Sequence, residues 1–114
     1  MSKYGRMVPK FKKLWLKALR SGEYSQTQGR LCRETKSGKT SFCCLGVLVN
    51  EVEGFADHPG YGHVKHAGSL RRGFLKEVGL SIDAQGELVC MNDGCCDYPK
   101  RRFSTIANWI EENL

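Results

Sequence analysis

The sequence predicts a single α+β domain, residues 1–114, with three to four helices packed around a small antiparallel β-hairpin or sheet. Three observations predict it. Segments near both ends repeat apolar residues with a helical period. Two short runs flank the turn Thr35-Lys36-Ser37-Gly38 in the manner of a hairpin. A chain of 114 residues, 40% apolar and 10% aromatic, suits one modest core and is too short for two ordinary domains.

Val8 to Gly22 is the clearest helix. Pro9 suits a first-turn position, where its missing N–H has no intrahelical partner. Phe11, Leu14, Trp15, Ala18 and Leu19 then form one apolar stripe, while Lys10, Lys13 and Lys17 fall on the opposite face. Arg20 lies in the last turn, and Gly22 can take the left-handed conformation that ends a helix. Tyr24 to Gly29 is polar and reads as a connection. Arg30–Arg33 and Lys39–Phe42 are the arms of the hairpin.

Cys43 to Val52 is nearly continuous in apolarity, a pattern that fits a buried helix or a buried strand. Its length and the stop at Gly54 favour a helix, with Gly46 allowing close packing against a neighbour. Phe55 to Gly68 reads as a long loop rich in glycine and histidine. Ser69 is expected to cap a short helix carrying Leu70, Phe74, Leu75 and Val78, closed by Gly79. Glu87 to Met91 is a strand candidate ended by an Asn92-Asp93-Gly94 turn. Ser104 is expected to cap a final helix with Ile106, Ala107, Ile110 and Leu114 on one face.

The longest apolar run, Phe42–Val49, is eight residues and contains a glycine, where a membrane span needs about twenty. The basic N-terminus lacks the apolar core of a signal peptide. These features lead to an expectation of a cytoplasmic protein. In a reducing compartment Cys32, Cys43, Cys44, Cys90, Cys95 and Cys96 are expected as thiols or metal ligands rather than disulfides. Burial is the default for Cys43 and Cys44.

The chain resembles a family of small bacteriophage and prophage proteins without assigned function. The matching blocks are Trp15-Leu16-Lys17-Ala18-Leu19-Arg20-Ser21-Gly22 with Tyr24 and Gln26; Phe42-Cys43-Cys44-Leu45-Gly46-Val47-Leu48; Met91-Asn92-Asp93-Gly94; and Phe103-Ser104-Thr105-Ile106-Ala107 with Ile110-Glu111. The resemblance implies a phage or prophage origin and favours the helical reading of Cys44–Val52. It carries no catalytic residues across.

Residue type and spacing bear on several chemistries. Ser37-Gly38-Lys39-Thr40 resembles the end of a phosphate-binding loop, but Arg33 stands where that loop needs its first glycine. Four of the six cysteines could supply a structural zinc, although no Cys-x-x-Cys pair is present. His58, His63 and His66 offer a second ligand set, in a stretch whose Pro59, Gly60 and Gly62 oppose a helix. Nucleophilic catalysis needs one cysteine with a lowered pKa beside a positioned histidine, and no spacing selects such a pair. Glu51 with Glu53, and Glu111 with Glu112, point to different faces of a helix. No catalytic residue and no cofactor are assigned.

The net charge is +6, and the first twenty residues hold seven of the eighteen basic residues and no acid. The basic residues Lys10, Lys13, Lys17, Arg20, Arg71, Arg72, Lys100, Arg101 and Arg102 form the expected binding surface. The leading expectation is a protein-binding effector or inhibitor of a bacterial host component. Tyr24, Tyr61, Tyr98 and Trp109 are its candidate anchors. The second is a nucleic-acid binder using the N-terminal helix and the Lys100–Arg102 cluster, with strongly salt-dependent affinity. Convergence of the cations on one face would favour nucleic acid, and scatter would disfavour it.

Overall fold

The computed structural model describes residues 4–34, 36–54, 70–94 and 99–114. Within them the architecture is α+β: five helices and a three-stranded sheet. The elements in order are α1 (Pro9–Arg20), β1 (Ser25–Gln26), β2 (Cys32–Glu34), β3 (Thr40–Phe42), α2 (Cys44–Val52), α3 (Arg72–Val78), α4 (Ile82–Asp93) and α5 (Phe103–Asn113).

The N-terminal helix forms as its period dictates, with Pro9 in the first turn and left-handed Gly22 just beyond the end. Trp15, Ala18 and Leu19 are buried and Phe11 is half-buried, whereas Leu14 is 37% exposed. The buried stripe is therefore narrower than the sequence predicts. Leu14 sits beside Lys13 at its margin, on the face that also exposes Lys10 and Lys17.

The hairpin is present, with Cys32 opposite Phe42, Arg33 opposite Ser41 and Glu34 opposite Thr40. A strand from the segment expected to be a plain connection joins it. Ser25–Gln26 pairs in parallel with Ser41–Phe42, giving the order β1-β3-β2 and a mixed sheet. Thr27 N extends this edge by donating to Phe42 O at 2.8 Å.

The ambiguous apolar run is a helix, and its position explains its composition. A helix apolar all round belongs inside a core, and Cys44 through Val49 are all buried, with α1, α4 and β3 packed around them. Gly46 is what lets the backbone of the hairpin close on this helix. A methyl group there would overlap the Leu31 carbonyl oxygen and stand 2.7 Å from its carbon. That same carbonyl accepts from Cys43 N at 3.1 Å.

The strand expected at Glu87–Met91 is instead the second half of α4. Ser81 caps this helix by accepting from Ala84 N at 3.1 Å, Asn92 and Asp93 of the expected turn are its last residues, and left-handed Gly94 ends it. The residues it buries are Ala84, Gln85, Leu88, Met91 and Asn92, a helical set that includes two amides. Both amides are hydrogen-bonded, as burial demands; Gln85 Oε1 accepts from Leu70 N at 2.6 Å.

The last helix buries Phe103, Ile106, Ala107 and Ile110. It starts one residue before the expected cap: Arg102 takes the extended cap backbone, Phe103 enters the core, and Ser104 is already helical and exposed. Likewise Arg71 precedes α3, while Ser69 lies outside the described residues. The residues just ahead of α1 meet the end of α5. Met7 N donates to Leu114 O at 3.0 Å, and Arg20 reaches Asn108 Oδ1 at 3.0 Å. Thus α5 runs back along α1, and one contiguous apolar cluster spans all five helices. Among the described residues no helix is long and apolar enough to cross a membrane.

Candidate functional site

Trp15, Gln26, Cys44 and Asn92 come from separate elements and meet in space, and their first task is architectural. Trp15 Nε1 donates to Cys44 O at 2.8 Å. Cys44 N, the first N–H of α2, donates to Asn92 Oδ1 at 3.0 Å, and Gln26 Nε2 reaches the same oxygen at 2.9 Å. Asn92 Nδ2 donates to Thr27 O at 2.8 Å and to Asp93 Oδ1 at 2.9 Å, while Asp93 also accepts from Gly29 N. An orphan donor of α2 is thus satisfied by an amide from α4. One buried asparagine ties helix, sheet edge and core together.

The thiols in this region are built for packing. Cys32, Cys43 and Cys44 are buried, and Cys90 is half-buried. Cys43 sits at the N-cap of α2, where Gly46 N donates to its Sγ at 3.4 Å. A helix N-terminus ordinarily lowers a thiol pKa. Here burial outweighs the lowering by the Gly46 N–H and pushes Cys43 up from 9.0 to about 11. Burial likewise pushes Cys44 well above its ordinary value. Neither is a thiolate at neutral pH. Among the described residues no three of the His, Cys, Asp and Glu side chains gather as a metal-binding group. Cys95, Cys96, His58, His63 and His66 lie outside those residues.

The raised Cys43 pKa predicts an alkaline limit to stability. The folded thiol holds its proton more tightly than the unfolded one, so its contribution is full below pH 9. It is lost as the pH rises through about 11. Urea unfolding of wild type and Cys43→Ser between pH 8 and 11 checks this. The wild type is expected to lose on the order of 2 kcal/mol more than the serine variant. Equal slopes would refute a raised Cys43 pKa.

All nine predicted surface cations are exposed. Lys10, Lys13 and Lys17 share the outer face of α1. Arg20 is paired with Glu111 of α5, and Lys12 Nζ donates to the Glu111 carbonyl at 3.2 Å. Arg71 stands 3.5 Å from Glu53 Oε2. Lys100 packs its stem against Gly94, and Arg101 lines a cleft of about 280 Å³ with Met91 and Trp109. Arg102 precedes α5. Carboxylates therefore engage Arg20 and Arg71, and the set is distributed over several elements. The proposed anchors Tyr24 and Trp109 are half-buried: Tyr24 accepts from Asn50 Nδ2 at 2.8 Å and meets Phe42 edge-on, and Trp109 lies 5.1 Å from the Tyr4 ring. Tyr61 and Tyr98 lie outside the described residues.

A larger concave surface joins parts of the chain that sequence reading had kept apart. The arm ahead of α1 is pinned by Met7 N to Leu114 O and by Val8 N to Val78 O at 2.9 Å. Gly79 permits this approach. It holds φ +77°, and a side chain there would stand 3.0 Å from Val8 N. Between the arm, α3 and the start of α4 lies a groove of about 560 Å³, within the usual size of ligand-binding clefts. Tyr4, Leu75, Leu80 and Ile82 provide its apolar surface; Arg6, Arg72 and Lys76 stand around it. No acidic side chain is among its lining residues. Of these, sequence reading selected only Arg72 for binding. The available signal was Arg6, one of the seven cations in the first twenty residues.

Residues 7–57 are similar to a domain of unknown function, DUF8296. That stretch runs from the arm through α1, the sheet and α2, and ends before Asn92 and most of the groove. No curated protein and no solved structure matches the chain.

Proposed function

We propose that this chain works by binding: it is a small accessory protein of phage or prophage type that engages a host protein, as effector or inhibitor of a defence, transcription or replication component. The groove carries this reading. It combines concavity, apolar surface and unneutralised arginine, the features that mark the centres of protein interfaces. The resemblance to small phage proteins supports the setting. The network around Asn92 and the high thiol pKa values of Cys43 and Cys44 give the most distinctive sequence blocks a structural purpose.

The nucleic-acid alternative draws on the Lys10, Lys13 and Lys17 face and the Lys100–Arg102 cluster. Pairing of Arg20 with Glu111 and of Arg71 with Glu53 weighs against it, because each neutralised cation is one phosphate contact fewer.

An affinity pull-down of tagged protein from bacterial lysate, with and without nuclease, tests the reading. The expected result is a host protein retained at near-stoichiometric amount after nuclease treatment. Recovery of nucleic acid alone, lost with nuclease or moderate salt and abolished by the triple reversal Lys10→Glu, Lys13→Glu, Lys17→Glu, would overturn it.

A further inference from the structure

We propose that the groove between the N-terminal arm, α3 and α4 receives an acidic segment of the partner protein, its carboxylates set among Arg6, Arg72 and Lys76 and an apolar side chain laid on Ile82. This rests on the binding reading above and specifies the chemistry of the partner.

Charge complementarity is the argument. Three cations from two separate stretches of chain surround one groove, and like charges so placed repel. Two other arginines are ion-paired, Arg20 with Glu111 and Arg71 with Glu53. Among the described residues no carboxylate pairs with Arg6, Arg72 or Lys76. An incoming carboxylate would remove that repulsion, and arginine offers it two parallel hydrogen bonds.

The apolar part narrows the class further. Ile82 is 64% exposed, the most exposed large apolar side chain among the described residues. It stands at the groove beside Leu75 and Leu80, which are buried. A phosphate backbone would use the cations and leave Ile82 in water. A helical segment with Asp or Glu on one face and Leu or Phe on the adjoining face would cover both, as amphipathic helices do when laid in a groove.

The test uses the full chain and a fluorescent synthetic peptide probe, an amphipathic helix with glutamate on one face and leucine on the other, read by anisotropy. Its counterpart carries glutamine for glutamate. Wild type is expected to bind the glutamate probe about tenfold or more tightly than the glutamine probe. The double variant Arg6→Glu, Arg72→Glu should lose about tenfold or more, and Ile82→Ser should lose several-fold. The variant Lys13→Glu, Lys17→Glu changes net charge equally on the α1 face and should bind within about twofold of wild type. The altered side chains are all exposed, so an unchanged unfolding midpoint separates lost binding from lost folding.

Equal affinity for the two probes, or groove variants that bind as wild type does, would overturn the proposal. So would stronger competition by a short DNA duplex or by laurate than by unlabelled peptide, which would assign the groove to nucleic acid or to a small amphiphile. Undiminished capture of a host protein by Arg6→Glu, Arg72→Glu would move the contact away from the groove while leaving the binding reading standing. Probe binding with no host protein retained would do the reverse.

Discussion

Replacing Gly46 by alanine is expected to cost about 3 kcal/mol or more and to lower the unfolding midpoint by about 10 °C or more. The added methyl group would overlap the Leu31 carbonyl oxygen, a backbone atom that cannot swing aside as a side chain would. It accepts from Cys43 N at 3.1 Å, so moving it would open the junction between hairpin and α2. The surrounding residues Leu31, Leu45, Val47 and Leu48 are fully buried, so the strain would spread through the core. Gly86→Ala provides the contrast. That glycine lies inside α4, exposed, with nothing within 4 Å of an added methyl group. The substitution is expected to stabilise by about 0.5–1 kcal/mol, because glycine in a helix interior gives up more backbone freedom than alanine. Thermal unfolding of both variants checks the pair, and similar midpoints would contradict the close approach at Gly46.

Asn92→Ala is expected to cost about 3–4 kcal/mol, read by urea unfolding. The side chain is buried and holds four partners: Cys44 N, Gln26 Nε2, Thr27 O and Asp93 Oδ1. Truncation leaves the first N–H of α2 without its acceptor inside the core, where an unpaired donor costs most. Asn92→Asp retains the oxygen that serves Cys44 and Gln26 but loses both donors. It also places a second carboxylate beside Asp93, so it is expected to be destabilised as well. A loss below about 1 kcal/mol for Asn92→Ala would show that the network is not holding the elements together.

These two sites also show how far sequence reading reached. Gly46 was legible: a glycine inside a strongly apolar run signals close packing, and the structure supplies the neighbour. Asn92 was legible only as part of a turn. The segment around it was read as a strand because the buried face of α4 includes Gln85 and Asn92, and amides on the inward face erase the apolar period that reveals a helix. Gly86 lowered the helical signal further. The usable clue was Ser81 with Asp83 two residues on, a helix-start pattern that the Glu87–Met91 run overshadowed. The strand Ser25–Gln26 left no trace because two residues show no alternation, and only its pairing with β3 makes it a strand.

The sequence by itself determined the α+β class, the amphipathic first and last helices, the hairpin and the outward charge of the first helix. Each depends on neighbours close along the chain, through a period of about 3.6 or 2, or through turn chemistry. Tertiary structure decided what requires distance: that Cys44–Val52 is the central helix, that Asn92 completes its N-terminus across 48 positions, and that two arginines are neutralised while Arg6, Arg72 and Lys76 face one groove. Residues 4–6 meet residues 72–82 there because the arm is pinned at Leu114 and Val78. No local pattern encodes that meeting, since it arises from the packing of elements whose individual sequences are indifferent to it.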